Sequence, residues 1–427
     1  MSVSAAMKSP KISAGTIMVS RLPFTSSVIL TTITRALLFR SRKNTFRSAR
    51  IFSVCNKSLS TSVLGVVEPT GDSLEGVACQ RYFSMHDLLP ANRPALVLAP
   101  MQDVTDLPFM RVIARRGAPD WFVTEYFRVH PDSVTHPYIL RSITENQTGK
   151  PVFAQMIGSD VESLVRTAKQ LATLPVADID LNLGCPAPIV CRKNAGGGLL
   201  RDPEQIDRLL GSLRDAVPGR FTVKTRVGYA DETGFPRLLE IFRRHSIDGL
   251  TIHARTVKDL YQTAVRPNCV RLAVEAMPCP VIANGNVVDV STGLAYLAKT
   301  MAAGLMIGRG AIRNPWIFAQ LIATFEGAPP PAPKHCDLLE YVTELYEELA
   351  SETRKFMPNA HVQRMKKTVA YISHGLLDGS FEYDMRRAKT PEEFFRICNH
   401  HLNHETPLPA WPPTDSKLFC GFEDLKR

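Results

Sequence analysis

Eight short apolar runs recur at near-regular spacing through the middle of this 427-residue chain, and that rhythm constrains its fold more than any other feature. They are "ALVLAPM" (95–101), "DWFVTEYF" (120–127), "PVFAQMI" (151–157), "DIDLNLG" (178–184), "RFTVKTRVG" (220–228), "GLTIHART" (249–256), "PVIANGN" (280–286) and "GLMIGRG" (304–310). Each is nearly continuous in Val, Ile and Leu, as expected of parallel strands covered on both faces. Between them lie helix-period stretches such as "DVESLVRTAKQLATL" and "PEQIDRLLGSLRDAV". Eight strand–helix repeats in about 220 residues predict a (β/α)8 TIM barrel. An open doubly wound sheet should show G-x-G-x-x-G after its first strand, and none follows the first run here. Beyond the Pro-rich "EGAPPPAPKHC" (326–336) the pattern is helical to the end. There Thr390, Pro391 and Glu393 predict a capping box with proline in the first turn. Three segments follow: a leader (1–84), the barrel (90–325) and a smaller C-terminal all-helical domain (334–427).

The formal net charge of +10 is unevenly distributed. Met1 to Val67 holds ten Lys/Arg and no Asp or Glu, leaving 41 basic against 41 acidic residues in the rest. The basic balance therefore belongs to the leader and says nothing about the body's partners. Rich in Ser, Thr and Arg, the leader reads either as an organelle transit peptide or as an upstream region absent from the mature protein, with Met85 near the true start. The first reading places the protein in a mitochondrial or plastid matrix, the second in the cytoplasm. Its longest uncharged stretch (22–34) is too short to span a bilayer, so no membrane association is expected. Nine scattered cysteines without a C-x-x-C pair suggest neither a disulfide framework nor a zinc site. His400, His401 and His404 have ligand-like spacing but read as a surface helix, so no metal is expected.

In a barrel of this type chemistry gathers at the carboxyl ends of the strands. Seven of the eight runs end in polar or glycine-rich punctuation: Met101-Gln102-Asp103, Gln155, Asn182–Cys185, Lys224, His253-Ala-Arg255, Asn284-Gly-Asn286 and Gly308-Arg309-Gly310. Taken singly, Gln155, Lys224 and His253 read as satisfied interior polar residues. Their shared placement favours a site. The last two clusters suit a phosphate held by backbone N–H groups with Arg309 as its charged partner. Lys224 and Gln155 suit the hydrogen-bonding edge of a flavin, with Lys224 stabilising charge on the reduced ring. Asn182 and His253 are then left to face a substrate carbonyl.

The segments "LAPMQDVTDLPF", "PVFAQMIGSD", "DIDLNLGCPAPIVCRKNAGGGLL", "VKTRVG", "IHART", "VIANGNV" and "MIGRGA", in this order over residues 95–320, resemble the tRNA-dihydrouridine synthases. The resemblance implies an FMN-dependent barrel that reduces a uridine in tRNA with NADPH or NADH, with the cysteine after "NLG", Cys185, as proton donor. It implies flavin contacts at Pro100, Met101, Gln102, Gln155, Lys224, His253, Asn284, Gly285, Asn286, Gly308 and Arg309, and a base contact at Asn182. Arg255 and, on the helical tail, Arg364, Lys366 and Lys367 are expected to touch RNA, with Tyr371 nearby. "VTEYFRVH" and "QRMKKTVAYI" look closest to the bacterial C-type branch, associated with position 16 of the D-loop. "HART" stands where the family commonly has "HGRT", "NGN" where "NGD" is frequent, and Gln102-Asp103 where small residues are usual.

Saturating the C5=C6 bond of uracil takes a hydride at C6 and a proton at C5. A free thiol, with an ordinary pKa of about 8.5, is mostly protonated at neutral pH yet acidic enough to deliver. The target base must leave its stack, which a tRNA loop nucleotide does cheaply. A monomer is expected. Two rivals remain at this level: a dihydroorotate or dihydropyrimidine dehydrogenase-like flavin barrel acting on a free pyrimidine, and a non-catalytic RNA-binding barrel.

Overall fold

All eight apolar runs form strands in the computed structural model, which describes residues 51–55, 62–66, 84–352 and 358–425. The strands are β1 (Ala95–Leu98), β2 (Trp121–Val123), β3 (Val152–Ile157), β4 (Asp178–Leu183), β5 (Phe221–Arg226), β6 (Gly249–His253), β7 (Val281–Asn284) and β8 (Gly304–Ile307). Every neighbouring pair is parallel. The sheet closes because Gly304–Ile307 pairs with Ala95–Leu98 on one side while Phe122 and Val123 pair with Val152 and Phe153 on the other. The chain thus holds an eight-stranded parallel barrel followed by a helical region, as the periodicity predicts.

A longer helix follows each strand: α1 (Leu107–Arg115), α2 (Pro137–Thr144), α3 (Val161–Leu171), α4 (Pro203–Ala216), α5 (Phe235–Arg244), α6 (Pro267–Ala276), α7 (Val290–Thr300) and α8 (Ile317–Phe325), with short five-residue helices at Pro188–Arg192 and Arg309–Arg313. Several begin on an Asp whose side chain accepts a backbone N–H of the first turn: Asp106, Asp160, Asp202 and Asp289. Such caps satisfy donors that the helix itself leaves orphaned. Inside the barrel, Val97, Trp121, Phe153, Ile282 and Met306 form an apolar layer with Met85, and the Trp121 and Phe153 rings stack at 5.3 Å.

The second run departs from its neighbours. Its strand stops at Val123, and Phe127–Arg128 rejoins the sheet beside Met156 and Ile157 at the end of β3. Residues 124–126 leave the ladder between these pairings, which puts Glu125 and Tyr126 at the mouth of the barrel.

Beyond the barrel come α9 (His335–Glu352), α10 (Pro358–Ile372), α11 (Ser380–Arg387) and α12 (Pro391–Leu402). The predicted capping box is present: the Thr390 hydroxyl takes the Glu393 N–H, and Glu393 returns to the Thr390 N–H. Helix α9 lies on α1 through Arg111, Arg115 and Arg116, which pair with Glu344, Glu348 and Glu352. His401 bonds Asp384 at 2.8 Å, His404 stacks on His335, and no group of metal-ligating residues occurs among the described residues. No helix among them is long and apolar enough to cross a membrane.

In the leader, Ile51–Cys55 pairs antiparallel with Ser62–Val66. The rest of the leader, and with it the transit-peptide reading, lies outside the described residues.

Candidate active site

The β4 strand is buried throughout and ends at the barrel mouth, where the turn that follows carries Cys185. Two bonds fix this turn from below: the Asn182 Oδ1 accepts the backbone N–H groups of Gly184 and Cys185, each at 2.9 Å. From the side, the Arg226 Nε donates to the Gly184 carbonyl at 3.0 Å, and its Nη1 donates to the carbonyls of Thr256 and Leu260. The run Gly196-Gly197-Gly198 packs against the same turn. A Cβ on Gly197 would lie 2.8 Å from the Cys185 carbonyl oxygen and 2.6 Å from Val257, so no larger residue fits.

Asn182 is itself held by a chain of buried side chains crossing the barrel interior. Its Nδ2 donates to Gln155 Oε1 at 2.8 Å, and Gln155 Nε2 donates to Asp180 Oδ2 at 2.7 Å. The Thr222 hydroxyl then sits 2.7 Å from Asp180 Oδ1 and 2.8 Å from Asp178 Oδ1. A hydroxyl has one proton to give, so it cannot donate to both carboxyls, and one of them must itself be protonated. Asp178 is that group. Burial, reinforced by the neighbouring Asp180, drives its pKa well above the usual carboxylate range, whereas hydrogen bonds from Gln155 and Thr222 restrain the burial-driven rise of Asp180, to about 6. Donation therefore runs from Thr222 to Asp180, and each amide further along has one permitted orientation. The chain ends with an acceptor aimed at the Cys185 N–H.

Gln155, expected as a flavin contact, has both ends of its amide engaged in this chain, is fully buried, and is not among the residues that line the cavity. It orients Asn182. Replacing Asp180 with Leu is expected to free the Gln155 and Asn182 amides and lower the rate of the chemical step by about 100-fold, the cost of a misplaced reacting group. Single-turnover kinetics check this, and a rate within threefold of wild type would contradict it.

The remaining predicted contacts surround one cavity of about 620 Å³. Pro100, Met101, Gln102, Asn182, Cys185, Lys224, His253, Asn284, Gly285, Asn286, Gly308 and Arg309 all line it. Two of them need unusual backbone. Gly285 has φ +129, and Asn286 has φ 57, in the left-handed region that Asn tolerates better than most residues. Among the described residues the Lys224 Nζ has no hydrogen-bond partner, and the buried His253 Nδ1 has none either. Burial, reinforced by Arg226 and opposed by Asp180, lowers Lys224 to about 8. Burial, with Arg226 and Lys224 beside it, holds His253 well below the usual imidazole range, so it is neutral.

Arg255 is not among the lining residues. It is fully buried behind the wall, where its guanidinium donates to the Thr263 carbonyl at 2.6 Å and to Asn286 Oδ1 at 2.9 Å. It supports Asn286. On the helical tail, Arg364 is held by Asp106 and by the Tyr138 hydroxyl, and Lys367 pairs with Asp103 at 2.9 Å. Both line a second, larger cavity. Lys366 lines neither cavity and donates to the Arg386 carbonyl at 2.9 Å.

Sequence reasoning missed the C-terminal segment. After α12 the chain returns over the barrel mouth, and its carbonyls take Arg309, expected to serve a phosphate, together with two neighbouring donors. Arg309 donates to Leu418, Asn286 Nδ2 to Gly421 at 2.6 Å, and Arg313 to Pro409 and Trp411. Phe419 and Phe422 anchor it against Val288, both nearly inaccessible. Replacing Phe422 with Ala is expected to cost about 3 kcal/mol, released locally, so that amide protons across 416–425 exchange faster while the barrel strands stay protected. Unchanged exchange in that segment would contradict the anchoring role.

A flavin fits these residues: the cavity has the right size class, an unpartnered cation at Lys224, an unpartnered buried nitrogen on His253, and an Arg309 guanidinium with donors beyond the one given to Leu418. Residues 97–405 match the family described as "Dihydrouridine synthase (Dus)". The chain is 32% identical over 261 residues to a "Probable tRNA-dihydrouridine synthase" of Rhodobacter capsulatus, covering 60% of this chain and 80% of that one. It is 28% identical over 327 residues to a "tRNA-dihydrouridine(16) synthase" of Neisseria meningitidis, covering 74% and 97%. To a "tRNA-dihydrouridine synthase B" of Pseudomonas putida it is 34% identical over 264 residues, covering 60% and 77%. The chain therefore belongs to the dihydrouridine synthase family of flavin-dependent oxidoreductases.

Proposed function

We propose that this protein reduces one D-loop uridine of tRNA, at position 16, to 5,6-dihydrouridine, with Cys185 as the proton donor to C5. The single observation that carries the reading is the placement of the Cys185 thiol in the wall of the same cavity as Lys224, His253, Asn284 and Arg309. When bound there, FMN reduced by NADPH or NADH supplies the hydride to C6 of the uracil.

The protein's own groups do the rest. The pinned Gly184–Cys185 turn holds the thiol at the cavity wall, where it releases its proton to C5 as the ring saturates. The resulting thiolate regains a proton from solvent. Neutral His253 has no second proton to give, and Tyr126, raised to about 12 chiefly by burial, is too weak an acid. Arg226 and Lys224 bring positive charge to the side of the site where negative charge develops on the reacting base and on the cofactor.

Position 16 is supported by the relatives from Neisseria meningitidis and Cupriavidus necator, whose names carry that position. Mapping dihydrouridine across tRNA from cells lacking this protein tests it. Loss of the modification at position 16, restored by the wild-type chain, is the expected result; loss at another position alone, or at none, overturns the assignment.

A further inference from the structure

A second cavity, of about 950 Å³, adjoins the catalytic one and shares Gln102 and Tyr126 with it. Glu125 lines it, at the point where the second strand leaves the ladder. One carboxyl oxygen of Glu125 takes the Asp103 backbone N–H, while the other, Oε1, is inaccessible to solvent and has no hydrogen-bond partner. A buried acceptor left unpaired is costly, and a ligand that brings a donor removes the cost. Tyr126 and Tyr138 also line the cavity, and the exposed Arg128 and Lys367 line it as well.

We propose that this cavity is a second base pocket: it receives the nucleotide directly flanking the target uridine, and Glu125 Oε1 accepts the exocyclic amino group of an adenine or a cytosine. The inference rests on the tRNA substrate argued above. A strand whose target base enters the smaller cavity passes its neighbour over Gln102 and Tyr126 into the larger one. The unpaired acceptor sits within, and the exposed cations Arg128 and Lys367, which suit a phosphate, sit at the open side beside the acids Asp103 and Asp132. Carboxylates read bases by accepting from such amino groups, and aromatic rings offer stacking surfaces. Guanine fits less well, since its paired N1–H and N2–H call for both carboxylate oxygens and one is committed to Asp103.

Glu125→Gln is the informative variant because it keeps the volume. Its amide oxygen must still accept the Asp103 N–H, so its Nε2 replaces the acceptor with a donor. The test uses full-length, flavin-loaded protein and synthetic tRNAs carrying adenosine or inosine, or cytidine or uridine, at each nucleotide flanking the target; these exchanges turn an amino group into a carbonyl. At one flanking position, wild type is expected to bind the amino-bearing tRNA about tenfold more tightly than its carbonyl partner, and Glu125→Gln to reverse that order. If wild type and variant respond alike at both positions, the pocket assignment fails. Turnover of the unsubstituted tRNA by wild type separates this from failure of the underlying reading: no dihydrouridine at all would remove the substrate, whereas normal turnover without a reversal removes only the role of Glu125.

Discussion

Cys185→Ala is expected to lower dihydrouridine formation by about 1000-fold, within the range a positioned general acid supplies, while flavin binding and flavin reduction by NADPH stay within twofold of wild type. The separation follows from geometry. The thiol lies against the Tyr126 hydroxyl, but the turn itself is held by backbone groups, through Asn182 Oδ1 and Arg226. Alanine leaves those bonds intact and deletes only the proton. The competing acid in the same wall is Lys224, whose lowered pKa makes it able to donate near neutral pH. If Cys185→Ala keeps full turnover and Lys224→Met abolishes it, the proton comes from the lysine. Rapid-mix single turnovers against unmodified tRNA decide between them.

Lys224→Met should have opposite effects on stability and on function. Burial is the main reason for the lowered Lys224 pKa, with Arg226 adding to it. A folded value of about 8 against about 10.4 in an unfolded chain means that, between those pH values, the unfolded state binds more protons. Stability then rises with pH across that window, and below pH 8 the folded flavin-free protein carries the full penalty, on the order of 3 kcal/mol. Lys224→Met should therefore raise the denaturation midpoint of flavin-free protein at pH 7 and flatten its rise between pH 8 and 10.5. The same variant should bind flavin more weakly and be reduced by NADPH more slowly, since the cavity-lining cation that would stabilise the reduced cofactor is gone. A variant less stable than wild type at pH 7 would show that Lys224 is better satisfied in the folded flavin-free protein than its surroundings indicate.

The barrel was legible because each strand is buried on both faces and so must be apolar throughout; no other feature of a sequence repeats so plainly. Lys224 stood out for the same reason: a cation in an apolar strand needs a reason to be there. Arg226, two positions on, was not singled out. The roles of individual polar residues were less legible. Gln155 and Asn182 look alike as strand-end amides, yet one is spent behind the wall and the other reaches the cavity. Arg255 was read as an RNA contact because it follows His253, but the chain turns inward after β6 and buries it. Arg364 was read as phosphate-facing because it neighbours two lysines on a helix, whereas Asp106, the cap of α1 and far from α10 in sequence, claims it. The C-terminal segment left no signal, since it acts through backbone carbonyls that any residue supplies. Glu125 was hidden inside an aromatic run that reads as unbroken strand.

The central claim is that a cysteine in the wall of this cavity protonates a uridine as its ring is saturated. Its most direct test is anaerobic mixing of protein whose flavin has been reduced beforehand with unmodified tRNA, quenched within one turnover and analysed by nuclease digestion and mass spectrometry. The account predicts one dihydrouridine per flavin oxidised by wild type and almost none by Cys185→Ala within the same time. Equal yields from the two proteins would contradict it.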